Sequence, residues 1–325
     1  MKVLVTGGAG YIGGFMVAEL LNKGDTVVVL DSLERSKKEQ LDPRAVFAEG
    51  SLLDKVFIKN LFNEHSFDAV IHFAGYISVP ESVQKPELYF SHNVTATLVL
   101  LDQMIQSGVD KIIFSSSAAV YGNPKEVPIP EDHPKSPESP YGESKYMVEN
   151  ILHWYADAYK LRSVSLRYFN ASGAALDGTR GEAHTVEGHI IPLAITACLE
   201  SRSFKLFGDD YPTPDGTCVR DYIHVLDLVE AHLLALSKIT EDEGSFAYNV
   251  GTGTGYSNQE VVNMVKKVSD RDFVITIEPR RPGDPSELIA QVDKIKKELG
   301  FSPKHSDLET IISSAWKWHS NKSVQ

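Results

Sequence analysis

Tyr141 and Lys145 stand four residues apart in "SPYGESKYMVEN", Ser139 to Asn150, and so share one face of any helix built over them. A phenol ordinarily loses its proton near pH 10, and a cation one helical turn away favours the phenolate. Such a pair can take a proton from a hydroxyl at neutral pH. The same spacing also fits two polar side chains on a solvated helix face. Ser117, at the end of "KIIFSSS", offers a hydroxyl that can hydrogen-bond a reacting oxygen and relay the proton.

These groups act together only if a frame positions them. The chain alternates short β-branched runs with helical patterns: "KVLVTG", then residues 11–22; "TVVVLD"; "AVFAEG"; "DAVIHFAG"; residues 86–107; "KIIFSSS"; residues 141–160; "SVSLRYFN". That alternation predicts an α/β fold with a doubly wound parallel sheet of the Rossmann type, and ligands at the carboxyl ends of its strands. Residues 1–170 read as the nucleotide-binding domain, and segments near 219–250 return to it. Residues 171–325 read as a smaller α/β substrate domain, with helices near 225–237 and 257–268 and strand-like "FAYNVG" and "FVITI". Apolar residues recur at helical spacing at Val94, Leu98, Leu101 and Ile105, and at Val148, Ile151, Leu152, Tyr155 and Tyr159. One such stripe packs on a sheet, and extra breadth would serve a subunit interface.

The first strand runs into "VTGGAGYIGG", which places Gly7, Gly10 and Gly13 in a G-x-x-G-x-x-G arrangement at a helix start. Glycines there let a pyrophosphate approach the backbone and meet the free N–H groups of the helix N-terminus. Asp31 ends the second strand, where a carboxylate accepts from a ribose and repels a 2'-phosphate. NAD is therefore favoured over NADP, with Arg35, Lys37 and Lys38 close by in sequence. An oxidised nicotinamide ring would add a second positive charge near Tyr141.

Composition excludes several classes. A formal net charge of −12 disfavours nucleic acid and anionic membranes as partners, because their binders cluster Lys and Arg against phosphates. Two cysteines, Cys198 and Cys218, make no disulfide framework and no C-x-x-C site, which fits a reducing cytoplasm. The N-terminus leaves no room for a signal-peptide core, and no apolar run reaches membrane-spanning length. The histidines suggest no metal: His184 and His189 miss the i, i+4 spacing of a helical zinc pair, while His72 and His224 read as structural.

The glycine spacing and the Tyr-x-x-x-Lys pair resemble the extended short-chain dehydrogenase/reductase superfamily. Within it the ordered set "TGGAGYIG", "HFAG", "ESV", "FSSSAAVYG", "SPYGESK", "LRYFN", "FGDDYPTPDGTCVRDYIHV", "YNVGTG" and "PRRPGD" is similar to the UDP-glucose 4-epimerase family over nearly the whole chain. The resemblance implies Ser117, Tyr141 and Lys145 as catalytic residues, with Ser117 and Tyr141 also touching substrate. It implies a cofactor set of Gly7, Gly10, Tyr11, Ile12, Gly13, Asp31, Leu52, Phe73, Ala74, Gly75, Asn93, Ser115, Tyr141, Lys145 and Tyr168. Lys145 would also bond the nicotinamide ribose, and Tyr168 would flank the nicotinamide. Asn170, Arg220 and Arg281 would hold a substrate diphosphate, for which guanidinium forks suit the geometry. Asp284 would accept from a uridine ribose, the backbone at Leu206 and Phe207 would hold uracil, and His189, Ile190 and Leu288 would line the pocket. As isolated features, Arg220-Asp221 also fits a local ion pair and "PRRPGD" a basic turn.

Relatives on this scaffold also eliminate water or carbon dioxide, and those place an acid after the hydroxyl residue. Here Ala118 and Ala119 follow Ser117, and neither does acid–base work. The resemblance then implies interconversion of UDP-glucose and UDP-galactose by oxidation at C4, rotation of the 4-keto sugar and re-reduction, with NAD retained. The partner implied is a UDP-hexose, and the assembly a homodimer on the helices at 86–107 and 141–160. Ser51 stands where many members have an Asp, and Ile77 where some have a Lys. Leu288 is intermediate at a position governing pocket volume, which leaves UDP-N-acetylhexosamine or another nucleotide sugar open as an alternative substrate.

Overall fold

Six runs rich in Val, Ile and Leu become strands: β1 (Lys2–Thr6), β2 (Thr26–Asp31), β3 (Val46–Glu49), β4 (Ala69–His72), β5 (Lys111–Ser117) and β6 (Arg162–Tyr168). The computed structural model describes residues 1–183, 187–281 and 283–322. All five neighbouring pairs among these strands are parallel, and the sheet runs β3-β2-β1-β4-β5-β6 with Ser245–Val250 beyond β6. Parallel strands need helical crossovers that cover both faces, which is why β4 is buried at all its positions rather than at alternate ones. This is the doubly wound Rossmann arrangement.

The described chain divides into two compact units. The first comprises Met1–Gly122, Pro134–Tyr168 and Val229–Tyr248; the second comprises Asn123–His133, Phe169–Leu228 and Asn249–Gln325. In the first, Leu4, Val28, Val70 and Ile112 from the sheet pack with Ile58, Leu100, Met104, Val148 and Leu152 from covering helices. Tyr159, at the end of the predicted apolar stripe, instead stands 56% exposed.

Two elements differ from the sequence expectation. A helix over Lys55–Glu64, capped by Asp54 whose side chain accepts from Val56 N and Phe57 N, follows β3. The expected helix over 86–107 is interrupted: α-helical segments at Pro86–Tyr89 and Ala96–Gln106 flank a π-helical segment at Phe90–Thr95. The Thr97 hydroxyl donates to Asn93 O at 2.6 Å, so a side chain competes for a carbonyl of the helical ladder where the wider turn falls.

The second unit holds a four-stranded sheet: Val219–His224 pairs with Gly255–Ser257, Glu287–Leu288 and Asn170–Ser172. Phe204–Phe207 pairs separately with Ile275–Glu278. Helices Ile190–Leu199, Asn258–Ser269 and Leu308–Lys322 close a core around Ile195, Val261, Val265, Ile311 and Ile312. Among the described residues, no helix is long and apolar enough to cross a membrane.

Candidate active site

The motif around Tyr141 is a helix start built for close docking. Ser139 caps the Pro140–Tyr159 helix by accepting from Gly142 N at 3.1 Å, and Pro140 occupies its first turn. Gly142 lies so near the turn after β5 that a Cβ there would sit 2.5 Å from Ala119 O. That absence of a side chain lets the helix settle against the strand end bearing Ser117. Ser117 Oγ accepts from Ala119 N at 3.1 Å and lies within hydrogen-bonding reach of the Tyr141 phenol.

Burial raises the Tyr141 pKa, and the Ser117 hydrogen bond opposes it. Lys145 is 3% exposed, and its ammonium donates to Ser115 O at 2.8 Å while lying 5.9 Å from the Tyr141 ring centre. Burial pulls its pKa down to about 8. The phenol is thus an acid in this structure and needs further positive charge nearby to become a base.

A second network fixes the helix from below. Asn93 Nδ2 donates to Ser144 Oγ at 2.9 Å and to Tyr76 O at 3.0 Å, while Asn93 Oδ1 accepts from Tyr76 N at 2.7 Å. Ser144 donates to Tyr141 O at 2.7 Å. Because Thr97 spends its proton on Asn93 O, His72 Nε2 must donate to Thr97 Oγ1, at 2.8 Å. His72 Nδ1 then accepts from Thr6 Oγ1 at 2.6 Å. Burial first, and then the Lys145 charge, lower the His72 pKa to about 3, so this histidine is a neutral part of the core. Glu149, one turn after Lys145, takes Arg167 Nη2 at 2.7 Å and Ser116 Oγ at 2.5 Å in a buried cluster against β5 and β6.

The glycine loop passes a direct fit test for a dinucleotide. Gly7 has φ +71°, and a Cβ there would lie 2.6 Å from Ala74 N; one at Gly13 would lie 2.3 Å from Gly7 O. The Tyr11–Asn22 helix begins at Gly10 with no side-chain cap and no acid in its first turn, so its N-terminal charge faces no side chain of its own. Asp31, expected to accept from a ribose, accepts here from Ala9 N at 3.0 Å, Leu33 N at 2.9 Å and Ser36 Oγ at 2.8 Å, which braces the glycine loop. Phe73 and Ala74 follow β4 against Gly7, Gly75 meets Asn93 of the Phe90–Thr95 segment, Tyr11 and Ile12 open the helix, and Ser115 sits on β5. Leu52 is 7% exposed and belongs to the apolar core. Tyr168 ends β6, with its hydroxyl bonded to His232 Nε2.

In the second unit a cavity of about 500 Å³ is lined by eight of the expected residues: Asn170, His189, Ile190, Leu206, Phe207, Arg220, Arg281 and Asp284. Leu288 is absent from its lining and pairs with Arg220 on the short Glu287–Leu288 strand. Among the described residues neither arginine has a carboxylate partner: Arg220 Nη1 donates to Val219 O at 2.9 Å, and Arg281 lies 4.0 Å over the Phe207 ring. Asp221, whose place beside Arg220 in sequence also fitted a local ion pair, is taken up elsewhere. It accepts from Thr252 N and Oγ1 at 2.8 Å, Gly253 N at 3.0 Å and Ala290 N at 3.2 Å.

Three features of the cavity were not singled out from sequence. Tyr222 is 3% exposed, and its hydroxyl has no hydrogen-bond partner among the described residues although it lines the wall. Its signal was period two, because Arg220 and Tyr222 point the same way on one strand. Glu182 and Glu187 meet His189 Nδ1 at 2.8 and 2.9 Å. Burial lowers the His189 pKa, and the two carboxylates outweigh it to reach about 10. His184 lies outside the described residues. His224 is buried and bonded to Ser314 Oγ at 3.1 Å, with its pKa lowered to about 4 mainly by burial.

A Rossmann sheet with a glycine loop, a Ser–Tyr–Lys group at the end of β5 and a separate cationic cavity defines a nucleotide-dependent enzyme of the extended dehydrogenase type. The NAD dependent epimerase/dehydratase family model matches residues 3–251, and the chain belongs to that family. It is 46% identical over 322 residues to the UDP-glucose 4-epimerase of Lacticaseibacillus casei, covering 99% of this chain and 97% of the relative. Among solved structures it resembles the UDP-glucose 4-epimerase from Brucella ovis in complex with NAD, at 42% identity, TM-score 0.93 and 97% of each chain covered. It also resembles that from Bifidobacterium longum in complex with NAD+ and UDP, at 41% identity, TM-score 0.94 and 99% of each chain covered.

Proposed function

We propose that the chain interconverts UDP-glucose and UDP-galactose as an NAD-dependent isomerase acting at sugar C4. The observation that carries this reading is the Ser117–Tyr141 hydrogen bond beside buried Lys145, with only Ala118 and Ala119 where an eliminating enzyme needs an acid. Gly7, Gly10, Gly13 and Asp31 would hold the dinucleotide, with Tyr11, Ile12, Leu52, Phe73, Ala74, Gly75, Asn93, Ser115, Lys145 and Tyr168 along it. Bound NAD supplies the hydride acceptor and donor at C4, and its oxidised ring brings the positive charge that the phenol lacks in the free protein. Tyr141 then removes the proton from the 4-hydroxyl, with Ser117 holding that oxygen and relaying the proton. Lys145 stabilises the phenolate, and Tyr141 gives the same proton back to the C4 oxygen, through Ser117, when C4 is reduced on its other face.

Between those two steps the 4-keto sugar turns over, which demands a firm grip on the nucleotide and a loose one on the hexose. Asn170, Arg220 and Arg281 grip the diphosphate, and Leu206, Phe207 and Asp284 grip uridine in the second unit. His189, Ile190 and Leu288 border the substrate. Two guanidinium groups without a carboxylate partner among the described residues, and a Tyr222 hydroxyl without a hydrogen-bond partner among them, support an anionic, hydrogen-bonding ligand there. Free, buried Cys198 and Cys218 fit a reducing cytoplasm. A homodimer through the helices at 86–106 and 140–159 accounts for Trp154 at 67% and Tyr159 at 56% exposure on the second of them.

The test is UDP-galactose supplied without added NAD. UDP-glucose must appear, and Tyr141→Phe must abolish it while leaving NAD bound. Conversion of a different nucleotide sugar alone, or near-normal turnover by the variant, would overturn the reading.

A further inference from the structure

β1 lies between β4 and β2 in the sheet, so any contact between the loops leaving β4 and β2 must cross the space off the end of β1, where the glycine loop sits. Such a crossing exists. Arg35, in the loop after β2, donates through Nη2 to both carboxylate oxygens of Glu81 at 2.9 and 3.1 Å, and Glu81 follows β4. The Arg35 guanidinium also lies 4.4 Å over the Tyr76 ring. Tyr76 in turn donates its hydroxyl to Glu34 Oε2 at 2.7 Å and stacks on His92 at 4.4 Å and 13°. Tyr89 adds a hydrogen bond to Glu81 at 3.1 Å.

Both feet of this crossing are anchored on residues of the cofactor loop system. Asp31 holds Leu33 N and Ser36 Oγ, on either side of Arg35, and Asn93 holds both backbone polar groups of Tyr76. A random surface ion pair has no such anchoring and is worth little. Here a guanidinium is shared between a carboxylate and a ring, which fixes one geometry.

We propose that Arg35, Glu34, Tyr76 and Glu81 form a bridge over the glycine loop that retains the dinucleotide between turnovers. The inference rests on the NAD reading above and adds the residues that set the cofactor's escape rate. Release then requires the bridge to open, and its partly exposed ion pair makes that opening salt-sensitive. Retention matters to this reaction because a cofactor lost after the first hydride transfer strands a 4-keto sugar.

The test follows bound NAD rather than activity. Holoenzyme is desalted and dialysed, and retained NAD is measured by chromatography at timed intervals, for wild type, Arg35→Ala, Glu81→Gln and the exchange Arg35→Glu with Glu81→Arg. We expect NAD to leave the single variants about tenfold faster, a loss of about 1.4 kcal/mol at the barrier, and partial recovery in the exchange. Raising salt should shorten retention in wild type and leave the single variants unchanged. Denaturation midpoints of the cofactor-free variants check that folding is intact. Equal retention by wild type and both single variants overturns the bridge and leaves the NAD reading standing. A wild-type chain that retains no NAD after loading overturns both.

Discussion

Lys145→Met separates what the lysine does for catalysis from what it costs the fold. The ammonium is 3% exposed, and burial moves its pKa from 10.5 to about 8. That displacement corresponds to roughly 3 kcal/mol against folding while both states are protonated. The sign follows from proton counts. Between pH 8 and 10.5 the unfolded chain holds this proton and the folded chain does not, so raising pH relieves the cost. Integrating between pH 7 and 9.5 gives a relief of about 2 kcal/mol. Methionine carries no charge and keeps the volume, but it loses the hydrogen bond to Ser115 O at 2.8 Å. A charged hydrogen bond contributes about 1.5–3 kcal/mol, which leaves the variant level with wild type or ahead by up to roughly 2 kcal/mol at pH 7. Because the hydrogen-bond and packing losses carry little pH dependence, that lead should fall by about 2 kcal/mol at pH 9.5, placing the variant level with wild type or below it. Chemical denaturation of cofactor-free protein at the two pH values, followed by near- and far-ultraviolet dichroism, reads the difference, and turnover of UDP-galactose should be lost in the same variant. A stability difference that is the same at both pH values refutes the argument that the lysine is a buried cation.

Gly7→Ala should abolish NAD retention, because its Cβ would lie 2.6 Å from Ala74 N at φ +71°; isothermal titration of the cofactor-free variant with NAD checks this. Asp221→Asn replaces one acceptor oxygen by an amide N–H donor facing the N–H groups of Thr252 or of Gly253 and Ala290, and should cost about 2–5 kcal/mol in denaturant unfolding. His189 has a folded pKa raised from 6.5 to about 10, so its carboxylate partners stabilise the fold fully below pH 6.5 and progressively less as pH rises toward 10. Glu182→Gln should flatten that part of the stability profile, read as denaturation midpoints between pH 6 and 9.5.

The first half of the chain was legible because its signals are local. β-Branched runs, glycines at fixed offsets and a Ser-Pro helix start each act over a few residues, and the strands and the Pro140–Tyr159 helix formed where those signals stand. The π-helical segment at Phe90–Thr95 was not legible. It depends on Thr97 bonding Asn93 O while His72, from a different strand, donates to Thr97, and no window of sequence contains both partners. The same limit explains the reading of Asp221. Sequence adjacency offered Arg220 as its partner, yet four donors from Thr252, Gly253 and Ala290 converge on it, and that convergence leaves the Arg220 guanidinium for the cavity. Tyr141 and Lys145 illustrate the difference between placing a group and setting its protonation. Their spacing put both on one helix face, but the raised phenol and the lowered ammonium come from burial under a sheet assembled from β5 and β6. Burial holds the phenol protonated in the free chain, so on the proposed reading proton removal from the sugar would await the positive charge that a bound cofactor brings.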